Sequence, residues 1–147
     1  QPAGPDVVTA TVTPAAVKAG APVTLTAQID DGRTANDPFG GGEPVQAIAG
    51  ATYTVNAPGW CGVAGRTLPL KAADAFDSPV ENATAVIDTA GWAAGRHTIF
   101  VQATDAAGNQ GPATAVFLDV GGSQPARAVE CAGWLYVPLW LGVGVED

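Results

Sequence analysis

The chain has 147 residues, of which only 14% are charged, and its formal net charge is −8. That length is enough for one domain with a hydrophobic core. The surplus of carboxylates repels phosphate groups, so the composition argues against nucleic acid and anionic lipid surfaces as partners. The longest apolar run contains Pro138 and several glycines and falls short of the ~20 residues of a membrane-spanning helix, so we expect no membrane span.

Strand signals recur along the chain, whereas helix signals are nearly absent. Short runs alternate apolar and polar residues and end at Gly, Pro, Asp or Asn, the pattern of half-buried strands. The predicted strands lie in 7–13, 18–30 (a turn and then a strand), 48–56, 67–71, 83–89, 95–105 and 112–120. One face of these strands is small and apolar and the other is rich in threonine. We therefore predict an all-β fold, an immunoglobulin-like antiparallel β-sandwich of about seven strands.

The last predicted hairpin carries a turn signal, AAGNQG. Gly108 and Asn109 both tolerate a positive φ, and Asp105 can hold the loop through its backbone amides. The sandwich is thus predicted to span residues 1–120. Residues 121–131 have the composition of a linker, and residues 132–147 form an apolar C-terminal extension.

The C-terminal extension is uncharged from Ala132 to Val145. As a strand it would be apolar on both faces, and such strands are buried on both faces. The segment can complete its own sandwich, add as a strand to a neighbouring copy, or pack against the same patch in a dimer. Self-association is the partner we expect, and a reading-frame remnant is the alternative origin of the segment. The predicted assembly strand comprises Trp134, Leu135, Tyr136, Val137, Leu139, Trp140 and Leu141.

Two cysteines, Cys61 and Cys131, lie outside any CxxC or Cys/His array. In an exported protein an even pair favours a disulfide, within or between subunits, and two buried thiols are the alternative. The sequence starts at Gln1 and contains no methionine. We therefore expect a secreted protein whose signal peptide has been removed.

Acidic and amide side chains gather in the glycine-rich segment 30–46, and Ca²⁺ binds several hard oxygen ligands in such loops. No cofactor is expected to be required, but a structural Ca²⁺ fits this composition. The alternative is that these groups cap turns, as would a second acidic cluster at Asp74, Asp77 and Glu81. The candidate ligands in segment 30–46 are Asp30, Asp31, Asn36, Asp37 and Glu43.

Signals for catalysis are weak. His97 is the one histidine, which is too few for the ligand set of a zinc hydrolase. The two serines, Ser78 and Ser123, occur in loop-like contexts that do not indicate a catalytic triad. We expect His97 to hydrogen-bond a loop and the protein not to be an enzyme.

Three stretches resemble a known family: IDDGR followed by GGGEPVQ, the segment DAFDS, and GRHTIFVQATDAAGNQGP. Residues 5–120 resemble the immunoglobulin-like domain found C-terminal to the catalytic domain in secreted bacterial zinc carboxypeptidases, and related modules of other extracellular bacterial proteins. The resemblance implies a domain whose catalytic zinc ligands belong to a separate domain, in a longer precursor. It does not extend to the residues after Val120.

These observations lead to three functional hypotheses. The first is a structural subunit of an extracellular assembly or filament, whose C-terminal strand docks in a neighbouring copy. The second is an accessory domain of a secreted zinc carboxypeptidase, for attachment or substrate presentation. The third is a calcium- or carbohydrate-dependent adhesion module, which for glycan binding would need Trp60 and Trp92 exposed together.

Overall fold

The computed structural model describes residues 3–33, 42–58, 67–121, 129–131 and 134–136. All regular secondary structure in these ranges is β-strand, and no part of them forms a helix able to cross a membrane. In chain order the strands are β1 (Asp6–Thr13), β2 (Ala16–Val17), β3 (Val23–Asp30), β4 (Ile48–Val55), β5 (Leu68–Pro69), β6 (Lys71–Ala72), β7 (Val80–Ile87), β8 (Gly95–Asp105), β9 (Thr114–Val120), β10 (Val129–Cys131) and β11 (Trp134–Tyr136).

The strands β1 to β9 form two sheets. One sheet has the order β1-β3-β7-β6 and the other has the order β2-β9-β8-β4-β5. All neighbours are antiparallel except β2, which runs parallel to β9. With β3 as strand B, β7 as E, β4 as C, β8 as F and β9 as G, this is the strand order of an immunoglobulin-like sandwich. The predicted fold class is therefore confirmed.

The main differences from the predicted strands lie at the edges of the two sheets. The predicted strand 95–105 has the bounds of β8, whereas the predicted strand 67–71 divides into β5 and β6 because the chain crosses from one sheet to the other. Leu70, between the two short strands, is buried in the core. The two-residue strand β2 was not predicted, and it forms where the chain crosses between sheets at the opposite edge.

The core forms where the inward faces of the two sheets meet. In β3 the buried side chains alternate with the exposed Thr24, Thr26 and Gln28, which confirms the predicted apolar and threonine-rich faces. Tyr53 of β4 is the one aromatic side chain in the buried cluster of the described residues. The aliphatic members of that cluster are Val7, Val12, Val23, Leu25, Ala27, Ile29, Ile48, Ala51, Leu70, Ala83, Ile87, Ile99, Val101, Ala103, Leu118 and Val120.

The N-terminal segment packs directly onto the turn between β8 and β9. A Cβ placed on Gly111 would collide with the carbonyl group of Pro5, so the two backbones approach more closely than any side chain allows. In the turn itself Gly108 has a φ of 88°, as predicted. Asn109 does not adopt the expected positive φ, because its backbone and side-chain N–H groups instead bind the Asp105 carboxylate.

Candidate functional site

An open groove lies at the side of the sandwich where the chain passes from β5 to β6. Its volume is about 410 Å³, within the range of roughly 300–1,000 Å³ that is usual for ligand clefts. Its walls come from both sheets, with β4 and β5 on one side and β6 and β7 on the other. The lining residues are Tyr53, Leu68, Pro69, Lys71, Thr84, Ala85 and Val86.

The groove is largely apolar and its rim is exposed. Val86 is 71% exposed and Leu68 is 47% exposed, although both are large hydrophobic residues. Tyr53 is buried behind them, and this burial raises the pKa of its phenol. Sequence reasoning missed this site. Pro69 was the available signal, because a proline within a strand pattern places that strand at a sheet edge.

A second notable region is one end of the sandwich, where three carboxylates are buried: Asp31, Glu81 and Asp105. Asp31 accepts a hydrogen bond from the backbone N–H of Gln46. Burial raises the pKa of Asp31, and the carboxylates of Asp105, Asp30 and Glu43 raise it further, whereas the bond from Gln46 lowers it. We call this region the acidic end.

Asp105 in the same region has the opposite shift. Burial alone would raise the pKa of Asp105, but hydrogen bonds from the Asn109 side chain and from the backbone of residues 107–109 outweigh burial and lower the pKa. The Asn109 N–H and side-chain amide each lie 2.8 Å from an oxygen of Asp105. Asp105 therefore holds the turn through amide groups, as predicted.

The predicted calcium ligands are only partly within the described residues. Asp30 accepts the N–H of Gly32 at 2.7 Å, and Glu43 accepts the N–H of Ala3 at 2.7 Å, so both cap backbone groups. Asn36 and Asp37 lie outside the described residues. Among the residues that the structure describes, no group of three or more His, Cys, Asp or Glu side chains is arranged to hold a metal ion.

The second acidic cluster also caps backbone groups. Glu81 accepts the N–H groups of Asp77 and Ser78, at 3.1 and 2.9 Å. Asp74 accepts the N–H of Ala75 at 3.0 Å. These bonds fix the approach to β7 and explain how Glu81 can be buried at the start of that strand.

His97 lies at the opposite end of the sandwich, which we call the histidine end. Its Nδ1 is 2.8 Å from the amide nitrogen of Asn56, and its Nε2 is 2.7 Å from the carbonyl oxygen of Ala93. The side-chain oxygen Oδ1 of Asn56 accepts the N–H of Thr98, so the side-chain nitrogen Nδ2 of Asn56 faces His97 as a donor. Nδ1 of His97 therefore accepts, and Nε2 carries the proton. The predicted hydrogen bonding of His97 to a loop is confirmed.

The remaining predicted residues are placed in part. Trp92 is half-buried and its ring centroid lies 4.8 Å from that of His97, so it covers the histidine end. Trp60, Cys61, Val137, Leu139, Trp140 and Leu141 lie outside the described residues. The backbone of β10 and β11 forms an antiparallel hairpin in which Cys131 pairs with Trp134, Glu130 with Leu135 and Val129 with Tyr136. The side chains of this hairpin, including Cys131 and the predicted assembly residues, also lie outside the described part of the chain.

The fold and these sites define an immunoglobulin-like β-sandwich with an open edge groove. No protein-family model matches the chain, and no curated protein matches it in sequence. Among solved structures the chain is similar to the Pseudomonas fluorescens alkylpurine DNA glycosylase AlkC bound to DNA containing an abasic site analog, with a TM-score of 0.53 at 14% identity. The match covers 82% of this chain and 31% of that chain. At such low identity the likeness shows the fold alone.

Proposed function

We propose that this protein is a non-catalytic structural module of an extracellular assembly, in which the C-terminal segment of one copy docks in a neighbouring copy. One observation carries this proposal. The stretch from Ala132 to Val145 is uncharged and apolar, and it follows a sandwich whose described core lies between Val7 and Val120. An apolar segment of this length needs a surface to bury it, and a neighbouring copy can supply that surface.

Burial gives this segment a reason to associate. Each large apolar side chain that leaves water contributes roughly 1.5–3 kcal/mol before ordering costs. A solvent-exposed strand with two apolar faces would instead invite uncontrolled aggregation. Docking in a neighbouring copy buries both faces, and because such a contact is head-to-tail it produces rings where the rotation between copies closes and filaments where it does not.

One further observation supports a module without catalysis, and another supports its location outside the cell. Both ring nitrogens of His97 are engaged in hydrogen bonds, and the side chain is only 3% exposed. The location outside the cell is supported by the resemblance of residues 5–120 to domains of secreted bacterial proteins.

The test is the mass of the particle in solution, measured by light scattering for the full chain and for a chain that ends at Val120. We expect the full chain to form particles much larger than its 14.6 kDa mass and the shortened chain to be monomeric. Circular dichroism of the shortened chain checks that the sandwich is intact. A monomeric full chain, or a shortened chain that assembles equally well, would overturn the proposal.

A second candidate is an accessory domain of a secreted zinc carboxypeptidase, supplied by a longer precursor. The observation that favours it is the agreement between the resembling residues 5–120 and the strands β1 to β9, which occupy residues 6–120. Its role would be attachment or substrate presentation. A full chain that remains monomeric in the same light-scattering experiment would favour this second function over assembly.

A further inference from the structure

The edge of the four-stranded sheet is only half covered. The strand β7 has eight residues, but β6 has two, and their pairing consists of Lys71 with Thr84 and Ala72 with Ala83. The remainder of β7, toward Ile87, extends past β6 along the groove. Among the described residues no strand pairs with this part of β7 on its outer side.

The hydrogen bonds next to β6 show which backbone groups point outward. The N–H of Ala73 donates to the carbonyl oxygen of Asn82, so Asn82 directs its backbone toward the β6 side. Backbone groups alternate along a strand, and Thr84 and Val86 therefore point the same way. Thr84 is paired with Lys71. The N–H and C=O of Val86 point toward the part of the edge at which none of the described strands pairs.

Continuation of β6 cannot cover this edge. In the register of β6 and β7, position 69 would stand opposite Val86, but Pro69 has no N–H to donate. Pro69 is instead paired with Thr52 in the other sheet. The divergence of β5 from β7 opens the groove, and a strand from elsewhere has room there.

We propose that the C-terminal segment of a second copy adds as a strand to β7 at Val86 and fills the groove. This inference rests on the proposed function and names the surface that receives the segment. Strand addition supplies main-chain hydrogen bonds along an exposed edge, while pockets beside the edge accept alternate side chains. The groove beside Val86 provides such a pocket between Leu68 and Ala85.

Three features favour this segment as the occupant. Its residues Trp134–Tyr136 are already extended in β11. It is uncharged from Ala132 to Val145, so it enters the groove without desolvating a charge. Lys71 is the one cation among the lining residues, and residues 132–147 contain no lysine or arginine that would repel it.

The position of Val120 sets the path from the sandwich to the groove. The strand β9, which ends at Val120, lies three strands away from β5 in the five-stranded sheet. Residues 121–131 are long enough to cross that distance, so the segment's own groove is the competing location for docking. The mass of the particle in solution separates the two, because docking in a second copy raises the mass and docking in the segment's own groove does not.

The test places a lysine at the proposed contact in the full chain. Lysines on edge strands block the addition of another strand, so Val86→Lys should weaken assembly at least about tenfold by light scattering. The matched control is Val80→Lys, which adds the same charge to the same face of β7 at a residue that is 49% exposed and does not line the groove. We expect this control to assemble like the unmodified chain.

Each other outcome contradicts a specific claim. If removal of the segment abolishes assembly but Val86→Lys does not, the proposed function stands and the docking surface proposed here is wrong. If Val80→Lys weakens assembly as much as Val86→Lys, the effect is one of charge and the groove is again not the contact. If the full chain is a monomer that Val86→Lys destabilises toward heat, the segment occupies its own groove, which overturns docking in a second copy.

Discussion

The two ends of the sandwich bury polar groups in opposite ways. At the acidic end Asp31, Glu81 and Asp105 are buried carboxylates that accept hydrogen bonds from backbone and side-chain amides. At the histidine end the side chains of Thr89 and His97 are buried and hydrogen-bonded, whereas the buried hydroxyl of Thr54 has no hydrogen-bond partner among the described residues. The shifted pKa values of Asp31 and Asp105 make the stability of the acidic end depend on pH. Within the acidic end, the pKa of Asp31 is raised and that of Asp105 is lowered, so ionisation opposes folding at the first residue and favours it at the second.

The largest expected effect is at the acidic end, where Gly111→Ala would place a Cβ against the carbonyl group of Pro5. Neither backbone can move without separating the N-terminal segment from the turn, so we expect a loss of about 3 kcal/mol or more in the free energy of unfolding. Urea denaturation measures it. The control is Gly50→Ala, whose Cβ would meet no atom within 4 Å, and which should change the free energy by no more than about 0.5 kcal/mol.

The next effect tests the histidine end. His97→Leu replaces the imidazole with an apolar side chain. The change leaves the Asn56 side-chain amide and the Ala93 carbonyl without their hydrogen-bond partner. A polar group left unsatisfied in the interior costs about 1–3 kcal/mol, but Asn56 is half-buried and Ala93 is exposed, so water can reach part of this site. We therefore expect a total loss of about 2 kcal/mol with no dependence on salt. Thermal denaturation at two salt concentrations is the measurement. A loss below about 0.5 kcal/mol would mean that water replaces both bonds.

Asp105→Asn should cost about 1–2 kcal/mol at neutral pH, because the charged acceptor of the turn becomes a neutral amide. The pKa of Asp105 is lowered in the folded protein, so its stabilisation is complete above the ordinary aspartate pKa and is lost as the pH falls below it. As the pH falls below about 4, the stability of the variant should therefore decrease less than the stability of the unmodified chain. The control Asp88→Asn removes an exposed carboxylate that also caps an N–H, and we expect it to cost less.

The smallest effect has the opposite sign. Asp31→Asn removes a buried charge that lies near other carboxylates but keeps an oxygen for the Gln46 N–H, so we expect a gain of up to about 1 kcal/mol at neutral pH. Because the folded pKa of Asp31 is raised, the folded state binds more protons than the unfolded state just above pH 3.8, the usual value. Stability from this residue falls as the pH rises through that window. Destabilisation by the variant would show that the charge is needed, as a bound cation would require.

Much of the sandwich could be predicted because strand periodicity is local. The prediction of the strand 95–105 required only its alternating apolar and polar residues, its first glycine and the turn that follows it. The roles of Asp105 and Gly108 also followed from the short turn that contains them. The sequence allowed a positive φ at Asn109, but only Gly108 adopts one, and the amide of Asn109 binds Asp105.

The candidate sites were less predictable because they join residues that are distant in sequence. The groove depends on the short length of β6 relative to β7 and on the transfer of Leu68 and Pro69 to the other sheet. Nothing in the local pattern around Val86 distinguishes an exposed edge from a covered strand. Likewise, Asp105 lies more than seventy residues from Asp31, and only the packing of the two sheets brings their charges together.

By itself, the sequence determined that the protein is an all-β sandwich whose strands alternate apolar and polar residues, followed by an uncharged segment. These properties depend on alternation, turn residues and composition, which act between near neighbours. The tertiary structure alone decided which strands form edges, where the groove opens, and which carboxylates are buried together. Those features depend on strand order and on crossings between sheets, which bring together backbone and charged groups that local sequence leaves far apart.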